Sequence, residues 1–102
     1  MSNLALIYEP DSAAYAEIYR KALTETLPQC RFLAASEPGE ALARAPEATI
    51  LIAKAQDISA ELVAAMPRLR WIQALTTGVD PIVALKLPPA IVITSARGIH
   101  GP

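Results

Sequence analysis

Two stretches of five residues are apolar at almost every position and then stop: Leu4–Tyr8 (LALIY) and Thr49–Ala53 (TILIA). They are too short for a buried helix, and they lack the in–out alternation of a strand with one wet face. A strand buried on both sides fits them, and such strands belong to parallel sheets covered by helices. A parallel pair needs a crossover of a dozen or more residues, which the intervening chain supplies.

The rest of the sequence alternates accordingly. Asp11 is expected to cap a helix in which Tyr15, Ile18, Tyr19, Ala22 and Leu23 recur at helical spacing, ended by Pro28. Arg31–Ala35 reads as a second strand, and residues 38–45 as a short alanine-rich helix closed by Pro46. Thr49–Ala53 is the central strand, nearly all apolar and β-branched. Ser59 caps a helix reaching Met66, with Glu61 in the first turn where the helix dipole favours an anion. A fourth strand runs over 70–75, a short helix over 81–86 and a fifth strand over 91–94, with Pro88-Pro89 as a stiff link. Strands and helices in this alternation predict an α/β fold. The expected form is flavodoxin-like: a doubly wound parallel five-stranded sheet, order 2-1-3-4-5, with helices on both faces. A dinucleotide-binding sheet would need G-x-G-x-x-G after its first strand, where this chain has Glu9-Pro10-Asp11-Ser12-Ala13.

Composition narrows the class. The chain has 102 residues, one domain's worth, and no apolar run near the ~20 residues of a membrane span. Its N-terminus lacks the basic lead-in and cleavage site of a signal peptide. Nine basic and ten acidic residues are spread without a basic stripe, which argues against nucleic acid as a partner. The lone Cys30 rules out an internal disulfide or a cysteine metal cage and suits a reducing, cytoplasmic setting; it reads as an inert core thiol. Trp71, Met66 and Leu69 are expected in the core.

In doubly wound sheets ligands bind beyond the carboxyl ends of the strands, where strand order reverses. Here that crevice lies between the first and third strands and is lined by 8–11 and 53–56, with 75–80 next door. The turn Thr76-Thr77-Gly78 holds the most chemistry. A glycine there lets a ligand approach the main chain, and successive N–H groups ahead of a helix suit a carboxylate or phosphate. The same turn also reads as a plain connector into a helix begun by Asp80-Pro81. Lys54 points toward the crevice and could attract an anion. Asp57 with Glu9 and Asp11 invites comparison with phospho-receiver domains, but the third strand ends Ala53-Lys54 where those need an aspartate. His100 has no partner at metal or triad spacing, and Arg97 reads as a surface residue.

Leu69–Asp80, LRWIQALTTGVD, and Ile91–Pro102, IVITSARGIHGP, carry a family resemblance. In that order and spacing they resemble the substrate domain of the D-isomer-specific 2-hydroxyacid dehydrogenases, particularly the glyoxylate/hydroxypyruvate reductase-like branch. The resemblance implies that residues 1–102 are a truncated substrate-binding (catalytic) domain, with the Rossmann domain for NAD(P) absent from this chain. It implies that backbone N–H groups of Thr77 and Gly78 hold the substrate carboxylate, and that Ala53, Lys54 and Ala55 pack over the substrate. Ser95 stands where the family often has asparagine; it keeps a hydrogen-bond donor with a shorter reach.

The implied reaction is hydride transfer between NAD(P)H and a small 2-oxo acid, giving a D-2-hydroxy acid. The histidine, its carboxylate and the arginine that perform it are expected beyond Pro102, so the fragment is expected to hold no catalytic, cofactor or metal residue. A family helix that returns from further along the chain would be missing, and its uncovered surface predicts a homodimer or exchanged assembly. The alternative is a stand-alone flavodoxin-like module for small-anion binding or interaction, without catalysis.

Overall fold

The computed structural model describes residues 3–76, 78 and 80–95, together with the backbone of 98–100. Strand β1 (Leu4–Tyr8) is followed by helix α1 (Ala13–Thr26), β2 (Arg31–Ala35) and α2 (Pro38–Arg44), which tightens into a 3-10 turn at Ala45–Glu47. Next come β3 (Ile50–Ala53), a 3-10 turn at Ala55–Asp57, α3 (Ala60–Ala64), β4 (Trp71–Ala74), the single turn α4 (Asp80–Val83), β5 (Val92–Ser95) and β6 (Gly98–His100).

The five expected strands form a parallel sheet in the order 2-1-3-4-5, and β6 adds a sixth, antiparallel strand beyond β5. The sequence predicts no element after β5, so this sixth strand was not expected. Every residue of β1 is buried, as its unbroken apolar run demands. β1 pairs in parallel with β2 on one side and with β3 on the other, in a register that sets Tyr8 beside both Ala35 and Ala53.

Two cores flank the sheet. Leu6, Leu51 and Ile72, all fully buried, point to one face and pack with Leu62, Met66 and Ile82 from the α3 and α4 region. Small residues make this possible: Ala41, Ala45 and Ala48 let α2 and its following turn approach the strands closely. The other face holds a smaller core of Ala5, Ile7, Phe32 and Ile52, with α1 contributing Leu23. Helices thus lie on both faces, but α1 packs against β2 and β1 alone among the strands it touches appreciably.

Local expectations are corrected at three points. Ser12 caps α1, accepting from the Tyr15 N–H at 3.2 Å, because Asp11 is drawn into the turn before it. Tyr15, Ile18 and Tyr19 do not face a core: Tyr15 and Ile18 are each 59% exposed. Trp71 is 40% exposed on the face away from the larger core, whereas Met66 and Leu69 are buried as expected. Cys30 is a free, half-buried thiol just ahead of β2. No helix among the described residues is long and apolar enough to cross a membrane.

Candidate functional site

Parallel strands all end on one side, so Tyr8, Ala35, Ala53 and Ala74 deliver their loops to a common edge. The first of these loops is acidic. Glu9 is 2% exposed, donates its N–H to Ala35 O at 2.9 Å and accepts the Asp11 N–H at 3.1 Å on Oε1. The register that pairs Tyr8 with Ala53 puts Lys54 across from this carboxylate. Its Nζ lies 3.2 Å from Glu9 Oε1 and 2.5 Å from Asp11 Oδ2. Hydrogen bonding to Asp11 and then to Glu9 raises the Lys54 pKa, so the side chain stays an ammonium.

Asp57 completes a group of three carboxylates, with oxygens of Glu9, Asp11 and Asp57 all within 4.8 Å of one another. Asp57 Oδ2 is buried and makes no hydrogen bond. Burial raises the Asp57 pKa, Lys54 opposes that rise, and Asp11 and Glu9 add to it. Tyr8 beside it is shifted upward, first by burial and then by Asp57, Glu37 and Asp11, so its hydroxyl stays protonated. An acidic trio therefore does form, as a phospho-receiver comparison would need, yet an ammonium already sits against two of its members.

The loops after β3 and β4 are tied together by one hydroxyl. Thr76 Oγ1 accepts the Ala55 N–H at 3.3 Å and donates to Gly78 O at 3.0 Å. The turn after β4 is therefore latched onto the loop after β3. Gly78 is exposed, and a Cβ there would meet nothing within 4 Å, so space for a ligand lies above it. Thr77 lies outside the described residues, as do Arg97 and the side chain of His100.

The structure brings Lys54, Ala55 and Gly78 to the same edge but gives them different accessibility. Ala53 and Ala55 are buried, at 0% and 2% exposure, and pack into the larger core, so their side chains shape the crevice floor from beneath. Lys54 is bound to its carboxylate partners. Ser95 is buried at the end of β5. Thr76, Glu9 and Asp11 are the residues that sequence reasoning under-weighted. The signal for Glu9 was its position, one residue past a strand that must be the neighbour of the strand ending before Lys54.

A second, larger opening lies elsewhere. An open groove of about 1130 Å³ lies on the α1 side of the sheet, lined by Ile50, Ile52, Trp71, Gln73, Val92 and Thr94 with Leu23 and Leu27. On the strands, Trp71 Nε1 donates to Thr94 Oγ1 at 2.8 Å, and Thr94 Oγ1 donates to Gln73 Oε1. Asn3, Gln29, Thr49 and Arg70 add polar groups to a lining that is otherwise mostly apolar. The crevice at the strand ends, with its main-chain turn and charged loops, is the better candidate site.

Comparison with known proteins agrees with this architecture. The model of the D-isomer specific 2-hydroxyacid dehydrogenase family, catalytic domain, matches residues 5–84. A solved structure of a D-isomer specific 2-hydroxyacid dehydrogenase family protein from Aeromonas salmonicida subsp. salmonicida A449 is similar over the whole of this chain, with a TM-score of 0.75 and 29% identity. The similarity covers 32% of that protein's chain, so the present chain spans about a third of its length. No curated protein matches. With four-fifths of its length matched by the family's domain and the same fold in a solved member, this chain belongs to the D-isomer specific 2-hydroxyacid dehydrogenase family, within its catalytic domain.

Proposed function

We propose that the chain is the substrate-binding part of an NAD(P)-dependent, cytoplasmic oxidoreductase acting on small 2-oxo acids of the glyoxylate or hydroxypyruvate class. In that reaction a hydride forms the new C–H bond at the keto carbon, the carbonyl oxygen takes a proton, and a D-2-hydroxy acid results. This chain's part is to hold the acid's carboxylate at the turn after β4, through the main-chain N–H groups of Thr77 and Gly78. The observation that carries the reading is the Thr76 latch, which fixes that turn against the loop after β3 with open space over Gly78. Lys54 serves the site by pinning the loops after β1 and β3 together. Ser95 closes the far side at the end of β5.

A nicotinamide dinucleotide does not fit the end of β1 in this chain. Its pyrophosphate needs a glycine-rich turn and free N–H groups at a helix start. Here a buried carboxylate, Glu9, stands at that place, and the Ser12 hydroxyl already accepts from the first turn of α1. In this reading cofactor binding and acid–base chemistry belong to other parts of the enzyme.

The test is a titration of glyoxylate, and of oxalate as a non-reducible analogue, into the 15N-labelled chain. The amides of Gly78 and Thr77 should move first, with a Kd on the order of millimolar or weaker. Shifts centred on His100 or on the α1 face would overturn the assignment. NADPH oxidation by the purified chain with glyoxylate should stay at background; turnover that follows the chain through purification would refute the division of labour.

A further inference from the structure

We propose that the cavity between the end of β1, α2 and the start of α3 is a binding site for a guanidinium group, carried by free arginine or by an arginine side chain of a partner protein. The cavity holds about 230 Å³ and lies on the larger-core side of the sheet, opposite the open groove. Neither Gly78 nor Lys54 is one of its walls, so the site does not depend on the carboxylate turn after β4.

Two polar side chains at this cavity lack a partner. Tyr8 is 8% exposed and lines the cavity, and its hydroxyl makes no hydrogen bond among the described residues. A tyrosine buried that deeply usually finds a partner for its hydroxyl. The hydroxyl is not sealed into the core, so what stays open of Tyr8 opens into this space. Asp57, half-buried in the wall, forms neither a hydrogen bond nor an ion pair among the described residues, and its Oδ2 is closed off from water. Lys54 does not serve it, being taken by Glu9 and Asp11. Glu61 adds a negative charge at the rim, and no basic residue lines the cavity among the described residues. A cation set beside the Asp57 carboxylate supplies the charge balance that the chain itself leaves out.

The walls select among cations. A divalent metal wants about six oxygen ligands, and with Glu9 and Asp11 held by Lys54 the cavity offers it chiefly Asp57 and Tyr8. A primary ammonium is strongly hydrated, whereas the floor is apolar, made by Ala41, Leu42 and Leu62. A guanidinium is planar and weakly hydrated, and it carries N–H donors with no acceptor. That suits a carboxylate and a hydroxyl oxygen over an apolar floor. The volume, about 230 Å³, is below the ~300–1,000 Å³ of sites that enclose drug-sized ligands, and it suits a single side chain.

Titration of ethylguanidinium chloride into the 15N-labelled chain at constant ionic strength tests the proposal. The amides of Asp57, Ile58 and Ser59 are expected to move together with those of Ala41 and Leu42, with a Kd on the order of millimolar. Asp57→Asn keeps the shape and removes the charge, and it should weaken binding at least about ten-fold. Tyr8→Phe should weaken it about three- to five-fold, and Glu61→Gln, at an exposed position, about two-fold. Glu25→Gln, exposed on α1, should bind as the wild type does. Free arginine and N-acetylarginine amide, compared side by side, separate the two sources of the group, and tighter binding of either supports the site. No shift at residues 57–59 by about 50 mM ethylguanidinium overturns the proposal. So do equal shifts from tetramethylammonium, a stronger response of these amides to magnesium chloride, or wild-type affinity in Asp57→Asn.

Discussion

Asp57→Asn should stabilise the chain at neutral pH, and the gain should vanish in acid. Asp57 Oδ2 is buried without a hydrogen bond, next to two other carboxylates and one ammonium. An unsatisfied buried polar group costs about 1–3 kcal/mol. The low end applies, because the residue is only partly buried and Lys54 attracts it. Removing the charge while keeping the shape should therefore gain about 1 kcal/mol, or ~4–8 °C in Tm for a domain of this size.

The pH dependence follows from the direction of the shift. Burial places the folded pKa of Asp57 above its unfolded value near ~3.9. Over the interval between the two values the folded state binds more protons, so stability falls as pH rises. The advantage of the protonated form is complete below the unfolded pKa and is lost as pH passes the folded pKa. Asparagine cannot titrate, so the two proteins should converge toward pH 4 and diverge above it. Urea denaturation at one fixed protein concentration, from pH 4 to 8, measures this directly. Parallel pH profiles, or an Asn variant less stable at pH 7, would refute the reasoning.

Three further outcomes are expected. Ile72→Ala, at a fully buried position in the larger core, should cost about 3–4 kcal/mol in urea denaturation, a large share of a marginal domain's stability. Lys86 is the described non-glycine residue with a left-handed backbone (φ 53°), just past α4, so Lys86→Gly should raise stability by about 0.5–1 kcal/mol; a loss would mean that its side chain matters more than its φ. Asp11→Asn removes one of Lys54's two partners and one negative charge from a wet crevice, where a unit charge is worth at most about 1 kcal/mol, so glyoxylate should bind up to about five-fold tighter by NMR titration.

Much of the fold was legible because burial on both faces leaves a direct mark on a strand: LALIY and TILIA are apolar without alternation. Once those were strands, the crossover rule and the short connections fixed the order around β1. The α1 stripe misled for a physical reason. Helical periodicity reports that an apolar face exists, and nothing in Tyr15, Ile18 or Tyr19 says which surface covers it. Trp71 was misjudged in the same way, since a parallel strand presents alternate residues to two faces and only one of them is well covered here. β6 was illegible because three residues with a glycine carry no periodicity. At the site, Gly78 could be read from its turn, but the Thr76 latch could not, because it joins residues 21 apart through a hydroxyl.

The charge at the crevice explains why a chain with this fold can be one wall of a site without being a site. Three carboxylates and one ammonium converge beside the turn after β4, so an incoming carboxylate meets a field that is negative on balance. Such a field would be a defect in a module that captured small anions by itself. Under the proposed function it is tolerable, because positive charge would arrive from another part of the enzyme and the acidic group would help to orient it. Lys54 is engaged by Glu9 and Asp11, and movement toward an incoming acid would leave Glu9, 2% exposed, with the Asp11 N–H in place of an ammonium. The pairing of Lys54 with Glu9 and Asp11 holds the loops after β1 and β3 together, and the Thr76 latch fixes the turn after β4 on that loop.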